Sequence, residues 1–360
     1  DVYEELAKSI GYENFTPSLP PIPMGSVASV EEVARQRTDE VLVGYGFYEV
    51  FTDGFYGRNA LDLLGIPEGH PLFRHVETTN ALDRAYSLLK NNCLHQALLT
   101  IASNERRRVP DVRMFEWTRT FHPVEGLLPD RADPRRPPCV ERPLMWLVAS
   151  GRDRPRAWHD TSRRADLAWL RGIVHELSVE LGIDLEVGEA DREHPLFGLL
   201  HPNRRQGIVS GGRTVGILGE PHPAVSRRYK LKQATPVYLE IDADALLVEG
   251  TRPAWSDPPS VQPVVRSLAF GLPRGVEAGD IAAVLHANGP DWLEHVLIVD
   301  LFRLEPASPQ EPDRAITYEL RFEGAGADDE PRTAEEINAA VVAMVAVVSE
   351  QFGPMGVRQR

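Results

Sequence analysis

The stretch HPNRRQGIVSGGRTVGILGEPHP, at residues 201–223, predicts the fold of the first part of the chain. Two apolar runs within it are separated by Gly211 and Gly212, and glycine supplies the positive φ angles that a tight hairpin turn needs. Further along, Val237–Asp242 alternates apolar and polar side chains with period two, which is typical of a half-buried strand. Residues 201–246 therefore predict antiparallel sheet with polar residues at its turns.

The composition limits the classes of protein to consider. With 360 residues, 42% hydrophobic and 26% charged, the chain is long enough for two or three globular domains. No apolar run approaches the ~20 residues of a membrane span and no signal peptide is visible, so we expect no membrane partner. Cys93 and Cys139 are the only cysteines, which favours a reducing, cytoplasmic setting. The net charge of −14 argues against non-specific coating of DNA or RNA.

Residues 25–247 predict one mixed α+β domain. A capping box at Ser29 and Glu32 opens a helix that ends near Val43. The elements predicted after it are a short strand over Tyr48–Thr52, a helix over Leu88–Ser103, a strand over Val112–Phe121, a long loop over Pro123–Pro143, a strand over Leu144–Ala149 and a helix over Asp166–Leu181. Residues 1–24 predict the end of an upstream domain and a proline-rich connector. A start at Asp1, without methionine, suggests a fragment of a longer protein.

A second domain is predicted over 263–360, after a proline-rich linker at 248–262. The elements expected there are strand Val264–Leu272, helix Ala278–Ala287, strand Val296–Phe302, strand Ala315–Phe322, helix Glu335–Glu350 and a short strand near Val357. Thr333 and Glu336 form a second capping box, which opens the long helix. The order βαββαβ predicts a ferredoxin-like split βαβ arrangement.

Short motifs along the chain resemble, in order, the C-terminal half of the β subunit of bacterial phenylalanyl-tRNA synthetase. Arg113–Glu116 resembles the family's Arg-Leu-Phe-Glu strand, His201–Arg204 its His-Pro-Gly-Arg, and Gly216–Pro223 its Gly-x-Leu-Gly-Glu-Leu-His-Pro. Lys90–Cys93 departs from the family pattern, where Arg-Thr-Ser-Leu is found. Each motif alone is weak, but their order and spacing across nearly the whole chain are specific.

The resemblance implies a fold and a function. It implies a class II synthetase-like antiparallel sheet with flanking helices that has lost its catalytic residues, followed by a ferredoxin-like anticodon-binding domain. It further implies a portion of a phenylalanine–tRNA ligase β subunit that supports a catalytic α subunit in an (αβ)₂ heterotetramer and binds tRNA(Phe). ATP and Mg²⁺ would then be held by the α subunit, and this region would bind no cofactor and no metal.

The polar residues of the first domain are expected to be structural or to face the partner subunit. An active class II site needs preorganised arginines against developing charge. Arg113 and Glu116 superficially suit the first arginine strand, but no glycine-rich strand followed by an arginine-bearing helix supplies the second. The residues assigned to structure or interface are Arg113, Glu116, Arg119, His201, Arg204 and Glu220. For Arg106–Arg108 two interpretations stay open, a solvated helix end and a contact to the tRNA backbone.

The C-terminal domain is expected to hold the tRNA anticodon on an open sheet face, where bases stack on aromatics and phosphates meet cations. The candidates are Arg266, Arg303, Tyr318, Arg321 and Phe322, with Phe302 beside them. Strand alternation predicts Tyr318 and Phe322 on the face opposite Arg321, and core packing is the alternative for each aromatic. Residues 261–360 contain 8 Arg, no Lys and 16 Asp plus Glu. This acidic balance keeps open a divergent paralogue that acts as a scaffold without binding tRNA.

Overall fold

The computed structural model describes residues 1–21, 28–78, 80–81, 83–124, 139–159, 161–251, 261–305, 308, 311–325 and 330–360. The chain divides into two compact units, Asp1–Pro253 and Ala254–Arg360. Most of the predicted loop at Pro123–Pro143, most of the predicted linker at 248–262 and the end of the first connector lie outside the described residues.

A seven-stranded mixed sheet forms the centre of the first unit. The strands of this unit are β1 (Tyr48–Glu49), β2 (Phe55–Tyr56), β3 (Leu88–Leu89), β4 (Val112–Pro123), β5 (Cys139–Ser150), β6 (Glu186–Gly188), β7 (Leu200–Ser210), β8 (Arg213–Pro221) and β9 (Val237–Asp242). The order in the large sheet is β1-β4-β5-β9-β8-β7-β6. Its pairs are antiparallel except for β1 and β4, which are parallel, and β2 pairs with β3 separately.

Helices cover both faces of this sheet. They are α2 (Val30–Gly44), α3 (Asn59–Leu64), α4 (Leu94–Arg106), α5 (Leu167–Leu181), α6 (Pro223–Arg228) and α7 (Ala243–Leu246). A further helix, α1 (Val2–Ile10), precedes them and buries none of its residues. Side chains of β5 alternate between the two cores: Met145 and Leu147 pack with α2, α5 and α7, whereas Trp146 and Val148 pack with α3, α4 and α6. Burial on both faces also corrects the prediction for β9: Val237, Tyr238, Leu239 and Ile241 are buried, Glu240 is partly buried and Asp242 is exposed.

The glycine hairpin is confirmed. β7 and β8 are antiparallel, and Gly211 and Gly212 between them have φ angles of +55° and +77°. Residues other than glycine rarely adopt two consecutive positive φ angles, so this glycine pair determines the conformation of the turn. The capping box of Ser29 and Glu32 at the start of α2 is confirmed as well.

One helix prediction needs a correction. The pattern from Leu88 to Ser103 predicted a single helix, but Leu88–Leu89 is strand β3, paired with β2, and α4 begins only at Leu94. The residues between them, Lys90–Asn92, are buried and polar. Tertiary pairing and burial of polar groups here override the helical pattern.

The second unit contains a four-stranded antiparallel sheet. Its elements are β10 (Val264–Leu272), α8 (Ala278–Ala287), β11 (Leu293–Arg303), β12 (Arg314–Phe322), α9 (Ala334–Phe352) and β13 (Arg358–Gln359). The strand order is β11-β12-β10-β13. Phe270, Tyr318 and Phe322 belong to a core that also includes residues of α8 and α9. The predicted element order βαββαβ is therefore observed, and the capping box of Thr333 and Glu336 opens α9.

Helix α9, together with the turn that follows it, is long and apolar enough to cross a membrane by length and composition alone. It buries Ile337, Met344, Val348 and Phe352 in the core of the second unit. Core helices often have this composition, so a single helix of this kind is weak evidence for a membrane span.

Candidate functional site

Glu116, on β4, lies at the centre of a buried polar group formed with Thr52, Lys90 and Trp146, here called the Glu116 cluster. Its carboxylate accepts hydrogen bonds from the Thr52 N–H (2.9 Å), the Thr52 hydroxyl (2.7 Å) and Trp146 Nε1 (2.8 Å). The Lys90 ammonium lies 3.6 Å from the same carboxylate, and both side chains are only 2% exposed. Three hydrogen bonds and the neighbouring ammonium surround this carboxylate, and Glu116 is only 1% exposed. Glu116 is therefore committed to contacts within the protein rather than presented to a substrate or a metal.

The residues after Lys90 form a second buried network. The Asn91 amide group donates to two backbone carbonyls, at 3.1 and 3.0 Å, and its Oδ1 accepts from the Tyr56 hydroxyl at 2.8 Å. The same hydroxyl lies 2.7 Å from His75 Nε2. Burial raises the pKa of Tyr56 and lowers the pKa of His75, so both side chains are neutral near pH 7. The network anchors the β3–α4 connection and offers no ionised nucleophile.

Glu240, on β9, shares a cavity of about 250 Å³ with His194. Burial raises the pKa of Glu240 to about 7, although the Tyr238 hydroxyl, which donates to it at 2.7 Å, acts in the opposite direction. Burial also lowers the pKa of His194 to about 4. The imidazole is therefore neutral at physiological pH, and its 3.8 Å approach to Glu240 is not a conventional ion pair. This site can hold a proton, but no nucleophile accompanies it among the residues that line the cavity.

The titration of Glu240 predicts a pH-dependent stability. A carboxyl whose pKa is raised by folding binds its proton more tightly in the folded state, so stability falls as the pH rises from about 4.5 to about 7. His194 contributes in the opposite direction as the pH rises from about 4 to about 6.5. We expect Glu240→Gln to gain stability over the unmodified chain by roughly 2–3 kcal/mol between pH 4.5 and 7.5.

Urea denaturation at several pH values measures this difference. Because His194 is present in both proteins, its contribution cancels, whereas the raw profile of the unmodified chain would mix the two groups. A flat difference between Glu240→Gln and the unmodified chain over this pH range would contradict a raised pKa for Glu240.

The structure places Arg113 and Arg119 in structural roles. Arg113 donates to the carbonyl oxygens of Gly46 (3.1 Å) and Arg152 (2.6 Å), and so ties the end of α2 to the end of β5. Arg119 forms an exposed ion pair with Glu141 at 2.8 Å. Neither guanidinium belongs to the Glu116 cluster.

The polar residues of the hairpin do not form one site. Arg204 pairs with Glu220 through both carboxylate oxygens, at 2.9 and 3.1 Å. His201 Nδ1 accepts from the Asn203 N–H, and the imidazole of His222 caps α6. An exposed ion pair contributes ~0–1 kcal/mol, so Arg204 and Glu220 add little to stability and remain available to a partner.

The predicted RNA contacts of the second unit separate onto two faces. Tyr318 and Phe322 are fully buried, so the prediction that they contact tRNA is wrong. Arg266 and Arg303 lie opposite Leu320 and Arg314, which places them at the margins of the same helix-covered face. Arg321 lies on the opposite face, as alternation predicted, and pairs with Glu294 at 2.7 Å.

The open face of this sheet carries Phe302, which the sequence analysis named, and Leu297, which it did not. Phe302 lies opposite Ala315 and Leu297 opposite Glu319, so both side chains share the face of Arg321. Phe302 is 63% exposed and Leu297 is 51% exposed. Ala315 and Arg321 are six residues apart along β12, so about 20 Å separates the exposed aromatic from this cation. The face therefore offers a ring for base stacking and a cation at two separate positions.

The exposed apolar residues on and after α2 are a further candidate surface. Val30, Val33 and Val43 are all exposed; Val33 lies about 60° and Val43 about 140° around the helix axis from Val30. Tyr48 and Phe51, which follow the helix, are also exposed, Phe51 at 95%. We call these five residues the α2 surface.

Lys90, Asn91 and Glu240 escaped the sequence analysis as site residues. The signal for the first two was a lysine and two asparagines between the apolar Leu89 and Leu94, within a segment that must be buried. Glu240 occupies a polar position in an alternating strand, so its side chain was expected to be exposed. Its carboxylate is buried because the second face of the sheet is covered as well.

Comparisons with known proteins assign this chain to a family. The family model described as phenylalanyl tRNA synthetase beta chain CLM domain matches residues 16–243. The phenylalanine–tRNA ligase beta subunit of Symbiobacterium thermophilum is 31% identical over 348 residues, which cover 94% of this chain and 36% of that protein. That of Moorella thermoacetica is 30% identical over 359 residues, which cover 98% and 42%.

The chain thus spans about two fifths of the length of these relatives. Among solved structures, a pyrrolysyl-tRNA synthetase from Desulfitobacterium hafniense aligns with 60% of this chain and 68% of its own, with 16% identity and a TM-score of 0.43. The matched residues of the family model cover more than half of the sequence. This chain belongs to the phenylalanyl-tRNA synthetase beta-chain family.

Proposed function

We propose that this chain is the part of a phenylalanine–tRNA ligase β subunit that supports a catalytic α subunit without itself catalysing the reaction. The Glu116 cluster carries this proposal. A class II synthetase-like sheet would present an arginine and a carboxylate from β4 to ATP, yet Arg113 bonds to backbone carbonyls and Glu116 is buried with three hydrogen bonds and an ion pair to Lys90. A buried polar cluster therefore occupies the position on β4 where an active class II domain would present its reacting groups.

In this proposal ATP and Mg²⁺ are bound by the α subunit. Among the residues that the structure describes, no group of three His, Cys, Asp or Glu side chains could hold a metal ion. What the chain offers to the reaction is a rigid sheet and its surfaces, and assembly as an (αβ)₂ heterotetramer follows from the family resemblance.

The α2 surface is proposed as the contact with the α subunit. Two shallow cavities flank it, of about 340 and 430 Å³, and Arg37 lines both. Exposed apolar side chains with a charged residue beside them can provide the hydrophobic centre and the polar rim of an interface.

A charge placed in the α2 surface should disrupt assembly. We expect Val43→Asp to reduce co-purification with a tagged catalytic α subunit at least tenfold, because a buried, unpaired carboxylate is costly at an interface. The matched control is Leu99→Asp, an exposed apolar position on α4, which packs against the opposite sheet face. Equal recovery of the α subunit by both variants and the unmodified chain would contradict this docking surface.

The second unit is proposed to be a ferredoxin-like domain that contacts the anticodon region of tRNA. The observed strand order, β11-β12-β10-β13 with helices after β10 and β12, supports that topology. Phe302, Leu297 and Arg321 on the open face supply one stacking platform, one apolar contact and one cation.

Filter binding of tRNA(Phe) to the chain at several salt concentrations tests this role. The affinity should fall steeply with salt, and deletion of residues 261–360 should remove the salt-dependent part, because phosphate contacts release counterions. Salt-independent affinity, or no loss on deletion, would contradict the proposal.

A scaffold without tRNA binding is the second candidate function. It is favoured by the acidic balance of residues 261–360 and by the pairing of Arg321 with Glu294 and of Arg274 with Asp313. These ion pairs leave fewer cations for phosphates. If the chain binds the α subunit but no tRNA at low salt, the scaffold is the better description.

A further inference from the structure

A large cavity lies near the end of α4, away from the Glu116 cluster and from the α2 surface. It has a volume of about 1090 Å³ and is lined by the α4 end, the start of β4, the end of β5 and the two segments 162–164 and 229–235. Ligand pockets for small molecules span ~300–1000 Å³, so this cavity is large enough for a cofactor-sized ligand.

The rim of this cavity is strongly basic in a chain that is otherwise acidic. Seven cationic residues line it, together with a single carboxylate, Glu105; the cations are Arg106, Arg108, Arg152, Arg163, Arg164, Lys230 and Lys232. Within the described part of the chain, only Arg152 among the seven forms a salt bridge, with Asp111 at 2.9 Å. Among the described residues that line the cavity, seven cations face one carboxylate, and this excess of positive charge attracts an anionic ligand.

The floor of the cavity is apolar and contains one buried hydroxyl without a partner. Ile101, Ala102 and Val112 are buried and face it. Ser150, 1% exposed, also lines it, and its Oγ has no hydrogen-bond partner among the described residues. A buried polar atom is normally satisfied, so this hydroxyl points to a ligand group.

Two cations at the rim of the cavity have a left-handed backbone. Arg108 and Lys230 have φ angles of +62° and +59°, and within the described ranges they are the only residues other than glycine with positive φ. Both line this cavity. Each follows the C-cap of a helix, α4 or α6, where a left-handed residue commonly closes the helix, so the two helix ends place these side chains at the rim.

Glu105 is committed to the protein rather than to a cation. Its carboxylate accepts hydrogen bonds from the N–H groups of Lys232, Gln233 and Ala234. Partial burial acts to raise its pKa, but these hydrogen bonds outweigh that effect and leave the pKa lowered. The carboxylate therefore holds the 229–235 segment against α4 and fixes the position of the lysines.

Solvated helix ends explain Arg106, Arg108 and Lys230, but they explain neither the arginines of the 162–164 segment nor the buried hydroxyl. An RNA backbone would favour an open basic surface over a deep cavity with an apolar floor. We propose that this cavity binds a small organic polyanion of the nucleoside-polyphosphate class, with its phosphates at the basic rim and its ring system on the apolar floor.

Titration calorimetry of the 360-residue chain with ATP, without Mg²⁺ and without the α subunit, tests the proposal. We expect saturable binding, and at least a tenfold weaker affinity for the double variant Arg163→Glu/Arg164→Glu. Both arginines are exposed, so the variant should fold, which its circular dichroism and thermal melt will verify. Ser150→Ala should weaken binding to a smaller extent.

The matched control is Arg303→Glu/Arg321→Glu in the second unit, which changes the net charge equally. It should keep ATP binding and lose affinity for tRNA(Phe), whereas the cavity variant should do the reverse. Opposite effects of the two variants on ATP binding and on tRNA binding would show that the cavity and the tRNA contact are separate sites. No saturable ATP binding, unchanged binding by the cavity variant, or a loss of tRNA binding in that variant alone would overturn the proposal.

Discussion

Replacement of Glu116 by alanine is expected to lower the free energy of unfolding by about 3–5 kcal/mol, because it leaves Lys90 buried without a counter-charge. The loss also strands the Thr52 hydroxyl and the Trp146 N–H, both of which donate to this carboxylate. Urea denaturation followed by circular dichroism measures the effect.

Two comparisons isolate the cause. Glu141→Ala breaks the exposed pair with Arg119 and should cost no more than about 1 kcal/mol. The double variant Lys90→Met/Glu116→Gln removes both charges and should recover much of the stability that Glu116→Ala loses. If Glu116→Ala is as stable as the unmodified chain but abolishes aminoacylation by the assembled enzyme, Glu116 is a reacting group and the structural assignment fails.

Phe322→Ala should destabilise the second unit by about 3–5 kcal/mol, because it removes a fully buried ring from the core. The ring of Phe322 lies 5.3 Å from that of Trp292, centroid to centroid, and this contact would also be lost. Phe302→Ala is the matched control: its ring is exposed on the open face, so stability should change by less than about 0.5 kcal/mol.

The same pair of variants separates packing from RNA contact. Phe302→Ala should weaken tRNA binding while the protein stays folded, whereas Phe322→Ala should lower stability at every salt concentration. Thermal melts with filter binding give both readouts. A stable Phe322→Ala protein with reduced tRNA affinity would restore Phe322 as an RNA contact.

Local patterns predicted most elements of the fold. The hairpin of β7 and β8 follows from two glycines, and both capping boxes from two side chains each, since these signals act between residues close in sequence. Strand β10 and helix α8 have the predicted bounds. The elements of the second unit were predicted well because each alternating strand and each periodic helix shows its pattern within one short segment of sequence.

Contacts between distant segments explain what the sequence did not predict. Strand β3 forms because Leu88–Leu89 meets β2, and the helical pattern around it carries no sign of that partner. The Glu116 cluster unites residues from four separate segments, so the sequence showed neither the burial of Lys90 nor the three partner residues of Glu116. For Tyr318 and Phe322 alternation gave the correct face, but the sequence did not show which face the helices cover.

The most direct measurement of the central claim is co-expression with a catalytic phenylalanine–tRNA ligase α subunit, followed by pyrophosphate exchange with phenylalanine and ATP. The account predicts that the chain co-purifies with the α subunit and that the complex catalyses exchange, while the chain alone catalyses none. Exchange by the isolated chain, or an α subunit that does not co-purify with it, would contradict the account.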